Sequence, residues 1–478
     1  MSSDDLGVMI GLEVHVQLTE LKTKLFCSCD ADYRGKEQNT LTCPTCLGLP
    51  GTLPVLNERA LEFATRLSLA LESKINDYMF FFRKNYFYPD MAKNFQISMY
   101  NKAGGVAFAD GGKISIKLNG KKKDVRINRL HLEEDPGRLV HQGSIKTSPF
   151  TLVDYNRHGI TLIEVVSEPD MTSPQEAREY LNNLKLIISY IGIANLDLEG
   201  SCRVDANISL KGGKRVEVKN INSFKEVEDA LKYEIIRQKN MLKRGKIIEQ
   251  ETRHWDGRTT ISLRQKEEEM DYRYFPEQDL VPFEISKEYI KKIEKDLPEL
   301  PKARNLRFRK QYHLTDHQVE TIILDKDLCD FFEETVNLNK NYGESDFVQI
   351  CNWLINDIQG YLNEQNLRIR DSKISSKSLA ELVEIAKKSS KIAKSLVPDV
   401  VNGIPIKDTE LISDDESIRK IAKEAIEEMI EQNPNIINEY KKDPKVLNAF
   451  IGPCMKKSDK KIAPKKTRKI LRELLSEY

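Results

Sequence analysis

The chain has 478 residues, which at roughly 150 residues per domain predicts about three domains and excludes a single small module. Lys and Arg number 75 against 74 Asp and Glu, so the net charge of +1 supplies no global field toward nucleic acid or membrane, and any such binding must come from local patches. With 40% hydrophobic and 31% charged residues the composition is that of a folded soluble protein, not a disordered one.

The start, Met1-Ser-Ser-Asp-Asp5, is acidic and shows neither a basic signal region nor an Arg-rich leader, which predicts a cytoplasmic chain. From Ile10 to Leu18 the residues alternate. Ile10, Leu12, Val14, Val16 and Leu18 share one face of a strand, and Glu13, His15 and Gln17 share the other. Next come Cys27, Cys29, Cys43 and Cys46 in the pattern C-x-C-x13-C-x2-C. Two short pairs joined by a loop are what a tetrahedral thiolate site needs, and in a reduced compartment they predict a closed structural zinc site in preference to four metal-free thiols or a disulfide pair. The long uncharged run Gln38 to Asn57 contains Pro44, Pro50, Pro54, Gly48 and Gly51 and so is no membrane helix.

A helix follows Asn57, with Leu61, Ala64, Leu67 and Leu71 on one face. Turn signals at Ala103-Gly-Gly105, Asp110-Gly-Gly112 and Asn119-Gly120 punctuate strands. In the strand Arg129 to Asp135, Arg129, His131 and Glu133 alternate with Leu130 and Leu132. Glu164 sits in the otherwise apolar strand Leu162-Ile-Glu-Val-Val166, where a carboxylate is costly to desolvate unless paired or metal-bound. Ser173 and Ser223 open capping-box helices with Glu176 and Glu226, the first with Pro174 at its first position, and the two stop near Gly192 and Gly245.

Between them lie two more alternating strands. Val204, Ala206, Ile208 and Leu210 oppose Arg203, Asp205, Asn207 and Ser209, and Val216 and Val218 oppose Glu217 and Lys219. A turn at Gly212-Gly213 joins them, and the predicted register pairs Lys211 with Arg215, which sets Ser209 opposite Glu217 and Asn207 opposite Lys219.

Strand patterns fade from about Tyr289, and Leu297-Pro-Glu-Leu-Pro301 reads as a boundary into helices. Thr315 with Gln318, and Ser378 with Glu381, are predicted capping boxes, and Phe347, Ile350, Leu354, Ile358 and Tyr361 recur at helical spacing. A second predicted break, Val397 to Pro405, precedes a C-terminal unit opened by Ser413-Asp-Asp-Glu416. Between Lys456 and Arg472 that unit carries nine Lys and Arg against one Asp, the footprint of phosphate-backbone binding.

A solvated face is the ordinary explanation for one strand with alternating polar residues. Here the polar faces hold short acids, a His and an Asn, which are ligands for Mg²⁺ and its phosphates. Five Gly-Lys pairs occur, none followed by Ser or Thr, so there is no P-loop, and neither a G-x-S-x-G elbow nor a G-x-G-x-x-G fingerprint is present. Any ATP chemistry must use metal clamps on a sheet.

These residues resemble the B subunit family of the aspartyl/glutamyl-tRNA amidotransferase over essentially the whole chain. The carrying motifs include Ile10-Gly-Leu-Glu-Val-His-Val-Gln17, Cys43-Pro-Thr-Cys46 with its extension to Asn57, Arg83-Lys-Asn-Tyr-Phe-Tyr-Pro89, His131-Leu-Glu-Glu-Asp135, Leu162 to Asp170, Glu217 to Phe224 and Asp271-Tyr-Arg-Tyr-Phe-Pro276. The resemblance implies an α+β fold: a glutamine-synthetase-like cradle with a mainly antiparallel sheet over 1–290, an all-helical domain over 291–404 and a small helical tail over 405–478. It implies a glutamine-dependent ligase in which ATP phosphorylates the side-chain carboxylate of Asp-tRNA(Asn) or Glu-tRNA(Gln). Ammonia from the partner amidase, the A subunit of a heterotrimer whose third member is the small C subunit, then displaces the phosphate.

By the same resemblance Glu13, His15, Glu133 and Glu164 bind Mg-ATP, Glu134 joins the catalytic set, and Asp205 and Glu217 serve as second-metal or water-mediated members. Arg203 and Lys219 are expected on phosphates, with a salt bridge to a neighbouring carboxylate as the alternative. The tail residues Lys456, Lys457, Lys460, Lys461, Lys465, Lys466 and Arg468 are expected on tRNA. A non-discriminating aminoacyl-tRNA synthetase is a further implied partner, and no membrane is. Pro136, the segment Pro89 to Gln96 and the tail segment Phe450 to Lys456 depart from the usual family pattern, which touches loops and not the carboxylates. The related E-type family shares the cradle but carries a large insertion for which this chain has no room, and a non-catalytic scaffold would not need the acidic face.

Overall fold

The computed structural model describes residues 7–141, 148–221, 223–265, 272–406, 415–442, 446–458 and 464–478. The chain divides into two compact units, Met1–Pro301 and Lys302–Tyr478. The first is mixed α and β, and the second is helical.

Among the described residues the first unit is built on a 13-stranded sheet. Its main strands are β1 (Met9–Gln17), β2 (Phe82–Asn85), β3 (Phe95–Ser98), β4 (Lys113–Leu118), β5 (Lys121–Glu134), β6 (Thr161–Ser167), β7 (Cys202–Ser209), β8 (Val216–Ile221), β9 (Glu251–Trp255), β10 (Thr260–Gln265) and β11 (Phe275–Pro276). They lie in the order β10-β9-β8-β7-β1-β6-β5-β3-β2-β11, with β4 paired to β5. Only β8 and β9 run parallel in this path. β1 is central because both its edges find partners, β6 and β7.

Three helices, α1 (Glu58–Ala70), α2 (Pro174–Ile191) and α3 (Phe224–Lys243), share one core with the apolar face of this sheet. Ile10, Leu12, Val14 and Val16 on β1 are buried there with Leu67, Leu184 and Leu231. Each such side chain contributes about 1.5–3 kcal/mol, so the apolar half of every alternating strand is committed to the helices. The polar half is thereby left to the opposite face.

The helix starts follow the capping chemistry. Asn57 caps α1 by accepting from the amides of Arg59 and Ala60, Ser173 caps α2 and Ser223 caps α3. The Glu176 carboxylate reaches back to the amide of Thr172, at 2.7 Å, and not to that of Ser173. α2 ends on Gly192, whose φ of +66° is the left-handed conformation a C-cap requires.

The β7–β8 register differs from expectation by two residues. Asn207 faces Glu217 and Ile208 faces Val216. The cause lies in the connection: the amide of Gly213 turns back to the Leu210 carbonyl at 2.9 Å, and that of Lys214 pairs with Ile248 at 3.1 Å and not with the neighbouring strand. A two-residue shift keeps every side chain on its predicted face.

In the helical unit Thr315 and Gln318 form the expected capping box. The helix expected from Ser378 starts earlier, at Ser376, because Ser375 Oγ accepts from the Ser378 amide. The expected break at Val397 is also displaced. Ser390–Val401 is one helix with Pro398 inside it, since the ring forfeits one donor while Val397, Val400 and Val401 are buried, and the helix ends at Asn402 and Gly403. The helices Asp415–Gln432, Leu447–Lys457 and Pro464–Leu475 share a separate core around Ile418, Phe450 and Leu471. Ser413 and Asp414 of the predicted start lie outside the described residues. Among the described residues no helix is long and apolar enough to cross a membrane.

Candidate active site and metal centres

Strand pairing assembles the polar face. His15 on β1 lies opposite Glu164 on β6, Glu164 lies opposite His131 on β5, and Glu13 lies opposite Asp205 on β7. One ligand atom from each of Glu13, His15 and Glu164 falls within 4.8 Å of the others. Glu133 stands beside them, its Oε1 3.6 Å from His15 Nε2, while Ser98 Oγ donates to its Oε2 at 2.9 Å. An open cavity of about 200 Å³ is lined by His15, Lys84, Glu133, Arg203 and Asp205 among others.

The two acids of this cluster are perturbed in opposite directions. Burial, then the Glu164 carboxylate, pushes the Glu13 carboxyl up to about 7. Glu164 is buried too, but the hydrogen bond from His131 Nδ1 at 2.9 Å, with the charges of His131, His15 and Arg129, holds its carboxyl well below the usual range. Two acids and an imidazole converging, with the Glu13 carboxyl raised by burial and by its acidic neighbour, form a donor set that a hard divalent cation fits, because the ion would stabilise both carboxylates.

Beyond Asp205 the acidic row continues. Lys219 Nζ lies 2.5 Å from Asp205 and 3.6 Å from Glu217, and Thr252 Oγ1 donates to Glu217 at 3.0 Å. Burial works against the Lys219 charge, yet Asp205 and Glu217 hold its ammonium above the ordinary value. Arg203 makes a forked contact with Asp135, at 2.7 and 3.2 Å. Both cations therefore have carboxylate partners, as the salt-bridge alternative expects, while Arg203 also borders the cavity.

Sequence reasoning assigned no role to Asp135, Gln17 or Arg157. Gln17 Nε2 donates to Asp135 at 2.7 Å and Arg157 approaches it to 3.8 Å. The available signal was alternation: Asp135 follows Glu133 by two residues and falls on the same side.

Glu134, expected in the catalytic set, lies on the other side of its strand. It points away from the triad because adjacent strand residues alternate, and it binds Lys93 at 2.7 Å and the Ile97 amide at 2.8 Å. It borders a second cavity of about 220 Å³ that Cys27 and Cys46 also line.

The four cysteines converge, with one sulfur from each within 4.8 Å of the others, and none is in a disulfide. A hydrogen bond from Cys27, against the effect of burial and with help from the Lys24 ammonium, lowers the Cys46 thiol to about 4. Burial, then Cys43, pushes Cys29 up to about 11. Lys24 is itself fully buried and donates to the Leu41 carbonyl at 2.7 Å. Four sulfurs at this spacing suit a tetrahedral thiophilic ion.

In the tail Lys456 is exposed, Lys457 pairs with Glu428 at 2.9 Å, Lys466 pairs with Asp415 at 2.7 Å, and Arg468 reaches Asn448 at 3.4 Å. Lys460 and Lys461, and the side chain of Lys465, lie outside the described residues.

Residues 8–291 match the GatB/GatE catalytic domain and residues 330–475 match the GatB domain. The chain is similar to the protein named as the B subunit of aspartyl/glutamyl-tRNA(Asn/Gln) amidotransferase in Sulfolobus acidocaldarius, at 48% identity over 470 residues, covering 96% of this chain and 97% of the relative. It is 46% identical over 481 residues to the protein of the same name in Sulfurisphaera tokodaii, covering 98% and 99%. With that of Persephonella marina it shares 44% identity over 487 residues, covering 98% and 99%.

Proposed function

The chain belongs to the GatB/GatE family, and from that premise we propose that the polar face of its sheet phosphorylates the side-chain carboxylate of a mischarged aminoacyl-tRNA. It is one component of a glutamine-dependent carbon–nitrogen ligase and works with the amidase (the A subunit), the small C subunit, which completes the heterotrimer, and tRNA. The assembly forms Asn-tRNA(Asn) or Gln-tRNA(Gln). A non-discriminating aminoacyl-tRNA synthetase is the further partner we expect, in the cytoplasm.

The convergence of Glu13, His15 and Glu164, with Glu133 at 3.6 Å from the imidazole, carries this reading. A carboxylate oxygen is a poor leaving group, and phosphorylation by ATP makes it a good one. Glu13, His15, Glu133 and Glu164 would hold Mg²⁺, which supplies charge neutralisation for the phosphates of ATP. Arg203 at the wall of the cavity, and Lys219 behind it on Asp205, supply cations for the charge that develops on the phosphoryl oxygens. Asp135, gripped by Gln17, keeps Arg203 in place, and Asp205 and Glu217 do the same for Lys219 while extending the acidic row as second-metal or water-mediated members. Ammonia from the amidase then displaces the phosphate. The four cysteines hold a structural zinc ion, the cradle, helical and tail domains follow the divisions 1–290, 291–404 and 405–478, and the basic tail docks tRNA.

The test is transamidation by the reconstituted heterotrimer with ATP, Mg²⁺ and glutamine, offering Asp-tRNA(Asn) and Glu-tRNA(Gln) in separate reactions. Conversion of either is expected and identifies the substrate. Failure with both, despite intact tRNA binding, would overturn the catalytic reading in favour of a scaffold.

A further inference from the structure

A continuous series of aromatic rings runs from the interior of the first unit to its surface. Buried Phe82 meets Tyr100 edge-on at 5.4 Å, and Tyr100 lies flat against Tyr274 at 4.0 Å with the planes 3° apart. Tyr274 leads to Tyr272 at 6.2 Å, Tyr272 to Tyr86 at 6.2 Å, and Tyr86 to Tyr88 at 6.3 Å. Exposure rises along it, from 1% at Phe82 to 51% at Tyr88 and 69% at the adjoining Phe87. A purely structural aromatic cluster would bury its outer rings.

The outer rings stand beside the catalytic cavity. Lys84, which lines that cavity with His15 and Glu133, holds its ammonium 4.7 Å over the Tyr272 ring and 5.9 Å over that of Tyr86. Arg273 lies 5.5 Å over Phe87. Its φ of +45° is a left-handed conformation that a side-chain-bearing residue adopts at a cost. Asn85 Nδ2 secures it by donating to the carbonyls of Arg273, at 2.8 Å, and Tyr272, at 3.4 Å. The lip is also tied down from behind, where Tyr155 Oη donates to the Pro89 carbonyl at 2.7 Å.

We propose that this lip seats the single-stranded 3′ end of the aminoacyl-tRNA, with its terminal bases stacked on Tyr86, Phe87, Tyr88 and Tyr272 and its phosphates met by Lys84 and Arg273. The proposal rests on the carboxylate-phosphorylation reading and adds the residues that bring the acceptor end to the acidic triad. Phe87 and Tyr88 are exposed and Tyr86 and Tyr272 half-buried, and accessible rings interleaved with cations are the chemistry that binds unpaired RNA, since every base has a face to stack and every linkage a charge to neutralise. The series offers more ring faces than one purine can use, which selects an RNA end over the adenine of ATP. The cations also sit among the rings, where a phosphodiester chain passes, whereas the triphosphate of ATP belongs at the triad.

The test uses the complete heterotrimer carrying Phe87→Leu and Tyr88→Leu, both at exposed positions. The Kd for tRNA with an intact 3′ end should rise about tenfold, with no change in the Kd for the same tRNA lacking its single-stranded terminus or in the KM for ATP. In addition, 2-aminopurine replacing the terminal adenine should lose fluorescence on binding the wild-type complex and keep it with the variant. A raised KM for ATP with tRNA binding intact would give the rings to ATP and overturn the proposal. Unchanged binding of intact tRNA, equal losses for intact and truncated tRNA, or an unquenched probe on the wild-type complex would overturn it as well. These binding measurements need no turnover, so failure of the phosphorylation reading, seen as absence of product with the wild-type complex, is separable from failure of this one.

Discussion

Asp135 and Arg203 form a forked ion pair in which the carboxylate is fully buried and the guanidinium borders the cavity that His15 and Glu133 line. Gln17 and Arg157 complete its surroundings. Removing the carboxylate leaves the Arg203 guanidinium, which is 36% exposed and screened by water, and the buried Gln17 amide without their acceptor. Asp135→Ala should therefore destabilise the protein by about 1–3 kcal/mol, read as a lowered midpoint in denaturant unfolding. A midpoint equal to that of the wild type would show that the pair carries no such strain.

The same residue sets an acid limit. Burial raises the Asp135 carboxyl, but the Arg203 and Arg157 charges outweigh burial, so its folded value lies below the ordinary 3.8. A depressed folded value means that the contribution is complete above the unfolded value and is lost as pH falls through the folded one. Thermal stability should thus decline below about pH 4, more steeply in the wild type than in Asp135→Asn. Parallel curves for the two proteins would remove Asp135 from the acid transition.

Glu133 touches both His15 and Ser98, and its loss should spare the fold while disabling the site. Glu133→Ala is expected to lower ATP-dependent phosphorylation of the aminoacyl-tRNA by about 100-fold or more, with tRNA binding retained. Filter binding beside a product assay reads both. Retained transamidation in this variant would sink the assignment.

The cysteine cluster predicts a bound metal. Elemental analysis of the purified protein should find zinc at one equivalent per chain, and Cys46→Ser should lower that occupancy together with thermal stability, because a structural ion contributes folding free energy directly. A wild-type protein free of zinc would argue for four reduced thiols.

Lys456 and Arg468 are exposed on the tail, whereas Lys457 and Lys466 are engaged with acids. Deleting residues after Ile404 should weaken tRNA binding and flatten its dependence on salt, each lost phosphate contact removing up to about 0.9 from the slope of log K against log salt. An unchanged slope would take the tail out of tRNA recognition.

Much of this protein is legible along the chain itself. The alternation that puts Glu13, His15 and Gln17 on one side of β1, the Cys27-to-Cys46 spacing, and the caps at Asn57, Ser173 and Thr315 all rest on geometry that a residue shares with its near neighbours. Partner choice is another matter. That Glu164 comes to His15, that Asn207 and not Ser209 faces Glu217, and that Asp135 engages Arg203 are consequences of strand order and register. Those are set by cooperative burial of the apolar faces against α1, α2 and α3 and by a turn whose amide pairs with Ile248. Separation along the chain carries no record of such pairings, so the ligand types and their faces can be read locally, whereas the meeting of ligands, and the outward run of rings from Tyr272 to Tyr88, exist only once the sheet has closed around its core.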